Sequence, residues 1–153
     1  EIPAPIETRA IVNAHFRLDH AVELPGGGRL LGLVGGTAHW LFARGDIASV
    51  TVSAADELAT GEAEEIAGVL WRDVARALGK PPSQPPPFRI VKEKRATFAQ
   101  IPAALKQRPG PRTAYRNLFL AGDWTATGLP ATIEGAILSG QRAAALALAV
   151  RRQ

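Results

Sequence analysis

Apolar and polar positions alternate through much of the first half of the chain, and such alternation is typical of strands that bury one face. We interpret five runs as strands: Ala10–Leu18, Arg29–Leu33, His39–Phe42, Ile47–Ser53 and Phe88–Ile90. Glycine-containing turns at 26–28, 35–36 and 44–46 separate the first four. The pattern therefore predicts an antiparallel meander over residues 10–53.

The spacing becomes helical between Glu62 and Leu78, where apolar residues recur on one face. Glutamates crowd the first turn, where they suit the positive end of the helix dipole. Gly79 and Pro81 end the helix, and the proline-rich stretch that follows is an extended connector. Trp71, on the flank of the apolar face, is assigned to the core.

The last part of the chain changes in kind. A short apolar strand, Leu118–Ala121, runs into a loop containing glycine, threonine and proline, and a helix follows from Thr132 to Val150. A strand, a glycine-rich loop and a helix can bring backbone amides and a helix N-terminus against a phosphate or an electron-rich ring. The residues alone leave two interpretations open, a cofactor site and a structural connection.

Composition narrows the protein class only moderately. The chain has 153 residues and no cysteine, which excludes disulfides and thiolate metal sites. No uninterrupted apolar run reaches the roughly 18 residues of a membrane span. The histidines lack metal-type spacing, so no metal site is predicted. Since the chain starts at Glu1 rather than Met, we interpret it as a piece of a longer or processed polypeptide.

The net charge of +4 hides a concentrated basic block. Residues 89–116 carry eight basic groups and one acidic group. This block could face anionic lipid, nucleic acid or the phosphates of a cofactor, but we interpret it as a solvated face and loop. A nucleic-acid partner is not expected, because no aromatic interleaving or binding motif accompanies the charges.

The string LFLAGDWTATGLPATIEGAILSGQRAA resembles the carboxyl-terminal flavin motif of the amine oxidase and phytoene desaturase superfamily. Within it, the wording GDWTATGLPATIEGA is similar to that of the squalene-associated desaturases, understood as hydroxysqualene dehydroxylases of hopanoid synthesis. The segments PIETRAIVNAHFRL, LLGLVGGTAHWLF, SVTVSAADEL and RIVKEKRATFA extend the resemblance over almost the whole chain.

The resemblance implies an FAD cofactor held at its ring end. Gly122 and Asp123 are expected to contact the ribityl–pyrophosphate region, and Trp124 and Thr125 to lie near the flavin. The residues expected to line the pyrimidine side of the ring are Pro130, Ala131, Thr132 and Ile133, with Ala136 below the ring.

Two residues of the sheet are candidates for a substrate channel. Trp40 could line a channel for a polyprenyl chain, with ordinary sheet packing as the alternative. His39 could act as a general acid, with an exposed strand histidine as the alternative. No catalytic residue is assigned.

One departure from the superfamily pattern matters. Its main dinucleotide site is a βαβ unit with G-x-G-x-x-G, and no segment here matches it in spacing and context. We therefore expect the adenosine half of FAD to bind to an N-terminal portion that is missing from this chain.

The expected fold is α+β: a mixed or antiparallel substrate-domain sheet with a packed helix at 62–78, then the terminal strand, loop and helix of a Rossmann-like FAD-binding domain. The expected domains are 1–112 and 113–153. The implied activity is reductive dehydroxylation of hydroxysqualene, an apolar isoprenoid substrate, to squalene. The alternatives are a phytoene-type desaturase and an inactive fragment or interaction module. The expected location is the cytoplasm, with peripheral binding at the inner membrane face as a further expectation.

Overall fold

The computed structural model describes residues 7–81 and 83–150. The chain forms two compact units: one spans 9–96, and the other joins residues 7–8 to 97–150 within the described part. The elements of both are, in chain order, β1 Thr8–Arg17, β2 Leu30–Gly32, β3 Trp40–Arg44, β4 Ile47–Ser53, α1 Ala63–Ala77, β5 Phe88–Phe98, α2 Pro102–Gln107 and α3 Ile133–Val150. The predicted α+β fold class is confirmed, while the boundary at residue 112 stays a prediction about domains of the whole protein.

The five strands form one sheet in the order β2-β3-β4-β1-β5. The predicted meander over residues 10–53 is therefore wrong in one respect, because β1 pairs with β4 instead of β2. Strand length explains the difference. β1 has 10 residues and β4 has 7, whereas β2 has only 3, so β1 gains more ladder hydrogen bonds beside β4. The predicted turn at 44–46 does form the two-residue connection between β3 and β4, with Gly45 at φ 58°.

The core of the first unit lies between one face of the sheet and α1. Strict alternation in β1 and β4 buries every second residue, and α1 covers those side chains with its apolar face. Trp71 is buried as predicted, and its ring lies 5.2 Å from that of Phe16, measured between centroids. The other members that anchor this core include Val12, Leu41, Val50, Ile66, Leu70 and Val74.

Two strand predictions in the later part of the chain need correction. The run at Phe88–Ile90 extends to Phe98, because at the edge of the sheet its lysine and arginine side chains can remain in solvent. The predicted strand Leu118–Ala121 does not form. A strand needs a partner for its backbone groups, and the described residues offer only an isolated bridge between Arg112 and Phe119.

Helix α3 also corrects the expectation about membrane-spanning length. Its 18 residues have a mean hydropathy of 1.2, so by length and composition alone it could cross a membrane. The uninterrupted apolar runs are shorter because Glu134 and Arg142 interrupt them. Only 11% of the helix is buried.

A partly buried carboxylate ties α1 to the loop between β2 and β3. Asp73 Oδ2 accepts hydrogen bonds from the backbone amides of Thr37 and Ala38 at 2.7 and 2.9 Å. A Cβ added to Gly36 would lie 2.5 Å from the same carboxylate, so glycine is needed for this approach. Arg76 donates to the other oxygen at 3.1 Å. This loop is thus fixed by charge-assisted hydrogen bonds.

We expect Asp73→Ala to lower the free energy of unfolding by about 2 kcal/mol, because the amides of Thr37 and Ala38 lose a charged acceptor. Urea unfolding of the protein measures the change. Arg72→Ala, which removes an exposed charged side chain from the middle of the same helix, is the control and should change stability by less than about 0.5 kcal/mol. Equal effects of the two substitutions would contradict this role for Asp73.

Candidate functional site

The loop 122–130 connects the Phe119 bridge to α3 within the second unit. It begins at Gly122, whose φ of 143° favours glycine. A Cβ added there would lie 2.3 Å from Nε1 of the Trp124 indole. Any other residue would push the indole aside, so the sequence Gly-Asp-Trp encodes a tight backbone turn.

A buried hydroxyl network joins the start of the loop to the middle of α3. Ser139 is 2% exposed and its Oγ accepts a hydrogen bond from the Gly122 amide at 2.8 Å. Thr125 Oγ1 donates to the Gly122 carbonyl at 2.8 Å and lies 2.7 Å from Ser139 Oγ. Since the Thr125 proton goes to that carbonyl, Ser139 must donate to Thr125. The small serine therefore holds the turn against the helix.

The Arg108 side chain donates hydrogen bonds to carbonyl groups along the rest of the loop. Its Nη2 donates to the Asp123 carbonyl and its Nη1 to the Leu129 carbonyl, each at 2.8 Å. Longer bonds reach the Trp124 carbonyl at 3.4 Å and Thr127 Oγ1 at 3.3 Å. The guanidinium also lies 4.8 Å from the centroid of the Phe98 ring. One planar cation thus gathers both ends of the loop.

Arg142 on α3 makes a second, weaker set of such bonds. Its Nη1 donates to the carbonyls of Ala126 and Thr127 at 3.4 and 3.3 Å. Together with Arg108, it draws the loop's carbonyl groups toward arginine side chains. Within the described residues, no carboxylate pairs with either arginine.

Several backbone amides are left without an acceptor within the described residues. The carbonyl and the following amide of a trans peptide point in opposite directions. Because the Asp123 carbonyl points at Arg108, the Trp124 amide points away from it, and it has no partner among the described residues. The same holds for the Asp123 amide, whose preceding carbonyl accepts from Thr125. The Asp123 carboxylate likewise has no partner in this part of the chain.

The first turn of α3 adds further donors. Thr132 caps the helix, with its Oγ1 accepting from the Gly135 amide at 3.1 Å. The amides of Ile133 and Glu134 have no acceptor in the described part of the chain, as expected for a first helical turn. Ala131 donates its amide to Gln100 Oε1 at 3.3 Å. These groups form a donor-rich edge where the helix dipole favours negative charge.

The nine predicted FAD contacts lie in one unit, in the loop and the first turns of α3. Thr125 differs from the others because the residue is only 3% exposed and its hydroxyl is bonded within the loop and to Ser139, so its side chain supports the loop. Pro130 leads into the helix, and its carbonyl would lie 2.9 Å from a Cβ on Gly135. Contact of each residue with flavin stays a prediction.

Sequence reasoning missed the residues that shape this loop. Arg108 was assigned with its basic block to a solvated face, and this was wrong because carbonyl acceptors surround its guanidinium. The only sequence signal was its position just before Pro109-Gly110. Ser139 carries no sequence signal, because a serine within a helix does not by itself indicate a bond to a loop 17 residues away.

The channel candidates His39 and Trp40 lie in the other unit. The His39 Nδ1 accepts from the Ser53 amide at 3.2 Å, which supports the end of β4. Trp40 lies on the sheet face that α1 does not cover, beside Thr51, and is 47% exposed. Neither residue lines a groove of about 1140 Å³ on the same unit. That groove includes Phe42, Ser49 and His15 among its lining residues.

Comparisons with known proteins decide the family. Residues 3–148 match the model of the family described as flavin containing amine oxidoreductase. This chain belongs to that family. Membership confirms the predicted resemblance and the predicted flavin cofactor, FAD.

Two relatives give the likeness in more detail. The chain is 54% identical over 147 residues to a hydroxysqualene dehydroxylase from Sinorhizobium fredii, a match that covers 96% of the chain and 34% of the relative. It is 49% identical over 151 residues to a hydroxysqualene dehydroxylase from Rhodopseudomonas palustris, covering 99% of the chain and 35% of the relative. The chain thus spans about a third of the length of these relatives.

The fold agrees with that of a solved structure, an Exiguobacterium protein assigned as a protoporphyrinogen oxidase. The TM-score is 0.67 with 13% identity, and the match covers 97% of this chain and 36% of that one. At this identity the likeness concerns the fold alone.

The residues present fit the ring end of a flavin. Unpartnered amides at Asp123, Trp124 and the α3 N-terminus can donate to ring carbonyls, and the Asp123 carboxylate can accept from a ribityl hydroxyl. No group of three metal-ligating side chains occurs among the described residues.

We expect Arg108→Lys to destabilise the loop by about 2–4 kcal/mol, because an ammonium cannot reach four acceptors spread over a planar fork. The expected consequence in the full-length protein is a lower melting temperature together with loss of bound flavin. Arg116→Lys is the matched control, since Arg116 is exposed and should change neither quantity. We call the hydrogen bonds from Arg108 to the loop the clamp. Unchanged flavin content in Arg108→Lys would contradict the proposed role of the clamp.

Proposed function

We propose that the protein is the carboxyl-terminal third of an FAD-dependent oxidoreductase that acts on a long isoprenoid alcohol, reducing hydroxysqualene to squalene in hopanoid synthesis. The observation that carries the proposal is the identity of 54% and 49% to two hydroxysqualene dehydroxylases over nearly the whole chain. Identity at that level extends beyond the flavin motif into the sheet, where substrate recognition is expected.

A bound reduced flavin would supply a hydride to the carbon that carries the allylic hydroxyl, and the hydroxyl would leave with one proton as water. The chain's own part is to orient and stabilise the ring. The amides of Asp123 and Trp124 and the first turn of α3 offer donors to a ring that becomes anionic on reduction. The clamp by Arg108 fixes those donors before the ligand arrives, which lowers the entropy cost of binding.

The open face of the sheet supports an apolar substrate. Leu30, Trp40 and Phe42 are 52%, 47% and 40% exposed there, on neighbouring strands β2 and β3. Exposed aromatic and aliphatic side chains that cluster on one face favour a ligand or interface. We propose that they form a wall of the isoprenoid channel. This extends the prediction for Trp40 to its neighbours Leu30 and Phe42.

The adenosine half of FAD requires residues outside this chain. We propose that an N-terminal dinucleotide-binding portion provides them and packs on the exposed apolar positions of α3, among them Ile133, Ile137 and Leu148. Such packing would account for an apolar helix that is only 11% buried. For location we propose the cytoplasm, with peripheral binding to the inner membrane face, where a water-insoluble substrate would be met.

The function is tested by product analysis with the full-length protein. Under anaerobic conditions, protein with reduced FAD should convert hydroxysqualene to squalene, detected by mass spectrometry. Phytoene should be left unchanged under oxidising conditions. Desaturation of phytoene without conversion of hydroxysqualene would contradict the proposal and favour a phytoene-type desaturase, and failure with both substrates would favour an inactive module.

We expect Gly122→Ala to lower both bound flavin and squalene formation by at least about tenfold, since an added Cβ meets the Trp124 indole at 2.3 Å and displaces the loop. Flavin absorbance of the purified protein and product yield measure the two effects. Gly110→Ala is the matched control, because its Cβ would meet nothing within 4 Å. Equal flavin content in both variants would count against the loop as the flavin site.

A further inference from the structure

The open face of the sheet is divided into an apolar and a polar half by its strand register. Leu30 pairs with Phe42, Phe42 with Ser49, and Ser49 with His15, so these four side chains form one row across β2, β3, β4 and β1. Paired residues share a face of the sheet. The row therefore runs from two large apolar side chains to a serine and a histidine.

The next row repeats this division. Gly32, Trp40, Thr51 and Asn13 follow one another across the same strands. The Thr51 hydroxyl donates to Asn13 Oδ1 at 2.7 Å, so the hydroxyl proton of Thr51 is already used within the row. The Cβ of an alanine at position 32 would lie 3.4 Å from the Trp40 ring, which rests against the glycine.

The polar end of the first row is available to a ligand. His15 Nδ1 lies 2.9 Å from Ser49 Oγ, and both residues line the groove together with Phe42. The His15 Nε2 has no hydrogen-bond partner within the described part of the chain. In that part, every buried side-chain nitrogen or oxygen has a hydrogen-bond partner, so an unpartnered atom is not a buried one. Nε2 is therefore open to the groove rather than sealed in protein.

This pair offers one donor and one acceptor in either tautomer. If Ser49 donates to Nδ1, the Nε2 proton is the free donor and Ser49 Oγ is the free acceptor. If Nδ1 donates to Ser49, the serine proton becomes the free donor and Nε2 the acceptor. An alcohol is itself a donor and an acceptor, so a hydroxyl group matches the pair in both states.

The other polar side chains that line the groove are Thr51, whose hydroxyl already donates to Asn13, and three charged residues. Its charged residues, Glu23, Arg29 and Arg44, are exposed, so their charges remain in solvent. A volume of about 1140 Å³ exceeds the range of about 300–1,000 Å³ that is typical of small-ligand pockets. The dimensions suit a long chain better than a compact metabolite.

From this arrangement, and resting on the proposed function, we infer that the His15–Ser49 pair binds the hydroxyl group of the isoprenoid alcohol while its chain lies along Phe42 and the neighbouring apolar positions. A hydrocarbon placed here would cover the pair without satisfying it, which is unfavourable. The pair thus selects a hydroxylated isoprenoid over the hydrocarbon of the same length.

The experiment compares two ligands on the flavin-loaded full-length protein. Equilibrium dissociation constants are measured for hydroxysqualene and for squalene, in the wild type and in Ser49→Ala and His15→Phe. We expect Ser49→Ala to weaken hydroxysqualene binding about 3–10-fold and His15→Phe about tenfold or more, with squalene binding changed by less than about twofold. Ser53→Ala, on the same strand and face but outside the groove, should change neither constant.

Two results would overturn the inference. If the dissociation constants of the alcohol and the hydrocarbon change in parallel, the pair is a structural feature of the sheet. If neither constant changes, the pair is not part of the binding site. Melting temperature and flavin absorbance identify a variant that fails to fold. If His15→Phe fails to fold, the test rests on Ser49→Ala, which removes only the oxygen of the serine side chain. Since binding is measured without turnover, selective loss of alcohol binding supports the inference even if squalene formation, which tests the proposed function, is absent.

Discussion

The bonds from Arg108 to the carbonyl groups of loop 122–130 are the constraint on which the proposed flavin site depends. They join residues 15 and 21 positions away in sequence, at Asp123 and Leu129, to one side chain. Because each peptide is planar, turning a carbonyl toward the arginine turns the next amide away from it. The bonds to Arg108 therefore determine which backbone donors of the loop are left for a ligand.

The Ser139 hydroxyl completes this arrangement. It fixes the Gly122 turn against α3, so the loop and the helix N-terminus are held in a fixed relative position. The proposed flavin site is thus built from backbone groups, and side chains act mainly as supports. This explains why few acids or bases are found there, since the flavin itself carries the redox chemistry.

The sheet unit follows a different rule. Alternation in β1 and β4 sends one set of side chains into the core under α1 and presents the other set on the open face. Phe16 and His15 are neighbours in sequence but serve opposite faces, one in the core and one in the groove. The same periodicity thus supplies both the stability of the unit and its candidate substrate wall.

Local signals in the sequence predicted the local structure well. The helical spacing of 62–78 and the turn at Gly45 depend on neighbouring residues, and both formed close to the predicted positions. Long-range pairing could not be derived in this way. The placement of β1 beside β4, the missing strand at 118–121 and the reach of Arg108 all depend on groups distant in sequence. The flavin motif was recognised by resemblance, whereas His15 looked isolated because its partner Ser49 lies 34 residues away.

Amide hydrogen exchange of the full-length protein, with and without FAD, tests the central claim most directly. The amides of Asp123, Trp124, Ile133 and Glu134 have no acceptor within the described residues, so they should exchange rapidly without FAD and become protected when it binds. The Ala126 amide, bonded to the Pro109 carbonyl at 2.8 Å, should be protected in both states. Rapid exchange of the first four amides in the flavin-loaded protein would contradict the account.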